Sequence, residues 1–314
     1  MQLSSTSTGL SAALIAAASF GTSGTLVKPL LTEGWSPTAA VAARALVGGA
    51  LLLPIALTML RGRWHILWPA RWRVLTMGVA GVACTQLAYF AAIQTIPVST
   101  ALLIEFLAPL LLVGLAWART RRTPRPTVLL GSALALAGLT LVIGPGALQP
   151  VDPVGLAFAL AAAIGCAVYF LVAARSGDGL PPVALAASGL LTGGLVLALV
   201  GAGGLLPFTA TFGSLPMFGT QAPWWVPLVL LALLSTAVAY AAGITASEAL
   251  GSRLASFVGL LEVAFAALFA WILLGEALTG VQMAGGALIL AGIAAVRAEP
   301  SAEPAEEPVP YRVP

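Results

Sequence analysis

Apolar residues in this chain come in long unbroken runs, without the period-2 alternation of half-buried strands. Runs long enough to cross a hydrocarbon core of about 30 Å recur from one end to the other. They predict helices near 10–31, 36–60, 74–94, 98–118, 127–146, 154–174, 182–201, 224–246, 253–274 and 279–297. Each run is too long for a barrel strand, so the pattern points to spanning helices. The opening "MQLSSTSTG" holds no basic residue and the run behind it is long enough to span, which predicts a retained helix and not a cleaved signal. The closing "EPSAEPAEEPVPYRVP", rich in Pro and Glu, predicts a disordered tail.

Composition fixes the solvent of those helices. The chain has 314 residues, 60% hydrophobic and 8% charged, with a mean hydropathy of +1.02. Soluble domains carry about 25% charged residues. The surplus apolar surface has to meet lipid, so this is an all-α integral membrane protein.

The position of the charges says more than their sum. Arg61, Arg63, Arg71 and Arg73 lie between the second and third runs, and Arg119, Arg121, Arg122 and Arg125 between the fourth and fifth. Arg175, Arg253, Arg297 and Arg312 follow in loops of the same parity, whereas the alternate loops show only Glu33, Asp152 and Glu276. The positive-inside rule then puts both termini in the cytoplasm of a bacterial-type plasma (inner) membrane crossed many times. The basic stretch "ARTRRTPRP" reads as a topology signal, with no nucleic-acid partner implied. Cys84 and Cys166 fall within apolar runs, and the single His65 sits in a basic loop. No disulfide framework, metal spacing or cofactor motif is present.

The chain also repeats itself. Trp117 and Trp271, Gly131 and Gly285, Gly138 and Gly292, and Ala101 and Ala255 are each 154 residues apart. "LAYFAAI" matches "VAYAAGI", setting Tyr89 against Tyr240; "GLSAALIAA" resembles "GLAFALAAA"; and Gly48–Gly49 matches Gly193–Gly194. The chain divides into an N-terminal tail 1–9, a five-helix unit 10–146, a second five-helix unit 154–297 and a tail 298–314. Five is odd, so the second unit enters the membrane from the opposite side. Inverted repeats of this kind build many secondary transporters, with a site between the halves.

Four charges fall inside spans: Lys28, Arg44, Glu105 and Glu262. A charge at mid-bilayer costs roughly 2.5–3.5 kcal/mol even on lenient scales. A free carboxyl of ordinary acidity takes up a proton at pH 7 for about 3.7 kcal/mol. With the two costs so close, a membrane glutamate suits proton coupling or the holding of an ammonium group. Pro109 lacks an N–H, which frees the backbone carbonyl of Glu105 four residues earlier. Arg44 stands about two turns beyond Pro37, too deep to snorkel; it suits a carboxylate partner or an ion-pair gate, and an internal bridge to Glu105 is the structural alternative. Lys28 lies before Pro29 near the outer end of its span, within reach of the interface. Tyr89 and Tyr240 are candidates for lining a pathway or for packing, and Trp224 and Trp225 read as interfacial anchors. Glu276 reads as a helix-boundary residue.

From "TLVKPLL", "SPTAAVAARALVGGALLL", "YFAAIQTIPVSTALLIEFLAPLLL", "ALAAAIGCAVYFLVAARSG" and the ending "LLGEALTGVQMAGGALILAGI", the chain resembles the EamA-type carriers of the drug/metabolite transporter superfamily over nearly all of 10–297. More narrowly it is similar to the threonine/homoserine exporter branch. The resemblance implies an inner-membrane carrier that exports small amino acids or similar metabolites and is driven by the proton gradient. It also implies that Glu105, Phe106, Pro109 and Leu110 correspond to a Glu-Phe-x-x-Pro-Leu motif in the fourth helix. That branch commonly has Glu-Pro in the ninth helix; here Val263 follows Glu262. The departure removes a kink and leaves Gly259 as the nearby flexible point. Other carrier substrates (aromatic amino acids, purines, drugs) and uptake stay open. A channel would need a continuous polar lining and a membrane enzyme clustered reaction chemistry, and the scattered charges supply neither.

Overall fold

The computed structural model describes residues 2–144 and 152–298, with side chains from Thr6 onward. The expected tail beyond 298 and the joint between the two units at 145–151 lie outside the described residues. The chain forms helices at Thr6–Thr32 (span 1), Pro37–Met59 (span 2), Trp64–Ala92 (span 3), Val98–Thr120 (span 4), Pro126–Ile143 (span 5), Pro153–Ala173 (span 6) and Pro182–Ala202 (span 7). Gly280–Arg297 is span 10.

Between them lies a helix Trp225–Gly259 of 35 residues, followed by Leu261–Leu274. A straight helix of that length would measure about 52 Å, far more than a bilayer core of about 30 Å. Gly251 resolves the mismatch: at φ 77° and ψ 160° it leaves helical geometry, in a region of backbone space that favours glycine. It divides the helix into span 8 (225–250) and the start of span 9 (252–274). Ten spans result.

Proline and capping chemistry set the starts. Proline occupies the first turn of spans 2, 5, 6 and 7, where its missing N–H costs nothing. The side chains of Ser36 and Asp152 cap spans 2 and 6, and Thr279 with Gln282 forms a capping box on span 10. The helical stretch before span 1 begins at Gln2, ahead of the expected boundary at residue 10.

The packing follows the same pattern in both five-helix units. Span 1 packs along span 8 and span 6 along span 3; span 4 lies on span 6 and span 9 on span 1; spans 2 and 7 pair, as do spans 5 and 10. Exchanging each span with the one five later returns the same set of contacts. Spans 5 and 10 meet through four glycines. A Cβ on Gly138 would lie 2.5 Å from the Gly285 carbonyl oxygen, and one on Gly131 2.7 Å from that of Gly292. Small residues that let backbones approach this closely replace the hydrophobic drive that lipid does not supply.

Two features depart from the sequence expectation. The connection between spans 7 and 8 contains a β-hairpin, β1 (Ser214–Met217) and β2 (Thr220–Pro223), paired antiparallel. Its four-residue strands are too short for alternation to register in the sequence. The residues flanking the hairpin are tied to the turn between spans 1 and 2: the Trp35 indole donates to Thr211 O at 2.8 Å, and Trp224 stacks on Trp35 with Phe212 edge-on. Trp224 is therefore part of this aromatic clamp, while Trp225 is exposed. Span 3 also begins at Trp64, ten residues before the expected boundary, so Arg71 and Arg73 lie on helix and not in a loop.

Candidate functional site

Several spans are interrupted. Span 1 breaks at Thr22, between the helices Gln2–Gly21 and Ser23–Thr32. Span 4 breaks at Phe106–Leu107, between Val98–Glu105 and Ala108–Thr120. Pro109 accounts for the latter, since it cannot donate to the carbonyl of Glu105. Span 9 breaks at Leu260, the residue 154 after Phe106, even though Val263 replaces proline there. Both spans are thus interrupted at positions 154 residues apart, although only span 4 has the proline. Gly259, the last residue before the break, packs against the ring of Phe170. Spans 3 and 8 each contain a π-helical segment, Met77–Cys84 and Leu233–Val238. Interrupted helices and π-bulges mark functional regions in membrane proteins, because irregular backbone is tolerated there only inside protein.

The charged candidates meet among these breaks. Glu105 ends the first half of span 4 and Glu262 opens the second half of span 9. Arg44, from span 2, lies within electrostatic reach of both and of Tyr240. Tyr89 of span 3 shares the field of Glu105. Arg44, Glu105, Glu262 and Tyr89 are half-buried, whereas Tyr240 is buried. An internal bridge between Arg44 and Glu105 is not formed: no pair of theirs is among the ion pairs within 4.0 Å of the described residues. Arg44 Nη1 instead donates to Ser23 Oγ at 3.1 Å, just beyond the break in span 1. Both carboxylates are thus left near a cation without being consumed by it.

Lys28 stands apart from this group. Its ammonium pairs with Glu276 at 2.9 Å, with about half of each side chain exposed, at the end of the molecule opposite the arginine-rich loops. Glu276, read from sequence as a helix boundary, is its partner across spans 1 and 9–10.

Sequence reasoning missed three residues near the centre. Ser23 holds Arg44. Tyr169 of span 6 is 8% exposed and its hydroxyl has no hydrogen-bond partner. It lies over Gly243, where a Cβ would come within 2.5 Å of the Tyr169 oxygen. Cys166 lies one turn earlier on the same helix, in the field of Glu105 and Glu262. The signal was present in the repeat: the register that matches Gly9 with Gly155 also sets Ser23 against Tyr169. An aromatic wall completes the region, with Tyr240 edge-on to Phe20 at 5.3 Å and to Tyr169 at 5.6 Å, and Tyr169 edge-on to Phe170 at 5.1 Å.

Arg73, counted in the sequence among the topology charges, also has a structural role. It is 5% exposed; Nη1 donates to Asp178 at 2.8 Å, Nη2 to Glu248 at 2.8 Å, and Nε and Nη2 reach the carbonyls of Val172 and Ala173. A residue of the first repeat is thereby fastened to three parts of the second.

The model of the EamA-like transporter family matches residues 7–144 and 153–298, one copy on each five-helix unit. The chain belongs to that family. It is accordingly a multi-pass membrane transporter of small molecules and not an enzyme. It is 28% identical to the uncharacterized transporter YwfM of Bacillus subtilis over 91% of this chain and 93% of that protein. It is 33% identical to the threonine/homoserine exporter RhtA of Escherichia coli K12 over 65% of this chain and 64% of the exporter. A solved crystal structure superposes with a TM-score of 0.74 at 21% identity, covering 92% of this chain and 96% of the other, which shows the shared fold.

Proposed function

We propose that this transporter exports a small zwitterionic metabolite, an amino acid of the threonine or homoserine kind, by proton-coupled alternating access. The carrying observation is the convergence of Arg44, Glu105 and Glu262 at the helix breaks without closure into an ion pair. An α-carboxylate finds a partner in Arg44, an ammonium group in Glu105, and Glu262 supplies a second protonatable group. Tyr89, Tyr169 and Tyr240 line the region. The arginine-rich loops support an orientation with both termini cytoplasmic and Glu276 facing outward. The similarity to threonine/homoserine exporters supports the substrate class. The edge-on rings of Phe20, Tyr169, Phe170 and Tyr240 favour, as a second reading, an aromatic amino acid as cargo.

The test is counter-exchange of labelled amino acids in proteoliposomes, with and without a pH gradient. Saturable exchange of threonine or homoserine, accelerated by the gradient, is expected. Preference for aromatic amino acids would move the assignment to the second reading. No exchange of any zwitterion would overturn both.

A further inference from the structure

A second cavity, of about 350 Å³ at the opposite end, is lined by Glu276 and Gln282 and belongs to the Lys28–Glu276 surroundings. The larger cavity lies at the arginine-rich end and carries different chemistry. Its volume is about 590 Å³, and it opens between the start of span 1, the end of span 4, span 6, the turn between spans 8 and 9, and the end of span 10.

Three guanidinium groups from three different helices line it: Arg119 in the last turn of span 4, Arg253 just past Gly251, and Arg297 in the last turn of span 10. Thr120 and Ser252 add hydroxyls, and no Asp or Glu is among the described lining residues. The rest of the wall is aliphatic, including Leu112, Leu115, Leu171, Leu254 and Val296. Guanidinium groups suit phosphate oxygens, which they bind bidentately. A free anion would leave the aliphatic wall unused. A phospholipid uses both parts, with its phosphate at the arginines and its first chain carbons against the leucines.

Position supports the same occupant. Trp117, two residues before Arg119 on span 4, is 52% exposed, and an amphipathic ring in that setting marks headgroup level. Basic pockets between spanning helices on the cytoplasmic side bind anionic headgroups. We infer that this cavity is a binding site for an anionic phospholipid, whose phosphate is held by Arg119 and Arg297. Arg119 terminates the span that holds Glu105, and Leu254 of the same wall lies at the start of the span that holds Glu262. A bound lipid therefore fastens together the ends of the two spans that break at the centre.

The test is native mass spectrometry of the full-length protein offered equal amounts of phosphatidylglycerol and phosphatidylethanolamine, with inorganic phosphate as a separate competitor. Phosphatidylglycerol adducts should exceed phosphatidylethanolamine adducts more than about tenfold, and each arginine neutralised should cut that preference about fivefold. Millimolar phosphate should leave the adducts in place. Equal binding of the two lipids, an unchanged preference in R119Q/R297Q, or displacement of the lipid by phosphate would overturn the assignment. If the double variant does not fold, R119Q and R297Q singly, both at exposed positions, give the same reading.

Discussion

Arg73 Nη2 and Glu248 Oε1 stand 2.8 Å apart, joining the third span of the first repeat to the eighth span of the second. With Asp178 on the same guanidinium, this is a buried cation held by two carboxylates and two carbonyls at the arginine-rich end. Any motion that parts the repeats at that end has to break it.

Removing Arg73 leaves two carboxylates facing each other without their cation. Breaking a buried pair by deleting one partner costs about 3–5 kcal/mol. Arg73→Met should lower the unfolding free energy by about that amount, and Glu248→Gln by less, because its amide oxygen can still accept. Thermal unfolding of the purified variants checks the order; an Arg73→Met protein as stable as the parent would deny the network its structural role.

Glu105→Gln keeps the size of the side chain and removes its charge and its exchangeable proton. Under the proposed mechanism, counter-exchange should vanish while the protein stays folded and inserted, as judged by size-exclusion and melting profiles. Glu262→Gln should abolish gradient-driven transport but leave some exchange at equal pH. Full activity in both variants would remove the two carboxylates from the mechanism.

Tyr169 separates a structural from a binding role. Its hydroxyl is buried without a partner, a condition that costs about 1–3 kcal/mol. Tyr169→Phe should therefore melt at or above the parent's temperature while KM for the transported substrate rises. A lowered melting temperature with unchanged KM would mean that the hydroxyl serves packing alone.

The contact between spans 5 and 10 leaves no room for a side chain. Gly138→Val has to push against the Gly285 carbonyl and the Ile289 backbone, at a cost of about 1–3 kcal/mol or more. Gly114→Ala, with nothing within 4 Å of the new Cβ, is the matched control and should be neutral or slightly stabilising. Urea or thermal denaturation of the two variants compares them directly.

Much of this protein was determined by one-dimensional pattern. Lipid admits only self-satisfied helices, so apolar run length gave the spans, and the alternation of Arg61 to Arg73, Arg119 to Arg125 and Arg253 separated the two ends of the bundle. Landmarks 154 residues apart gave the repeat, because the chain builds the same packing unit twice, once in each half. What the sequence could not decide is which charges meet. Lys28 and Arg44 look alike as cations in apolar runs, yet one pairs with Glu276 at an end and the other with Ser23 at the centre. Arg73 looks like its neighbour Arg71, yet only the fold carries carboxylates from residues 105 and 175 positions away to its guanidinium. Span 9 is interrupted at Leu260 without the proline that interrupts span 4. Length and hydropathy are local quantities and survive in the sequence; ion pairing and helix breaks depend on neighbours from the other half of the chain, and only tertiary packing supplies them.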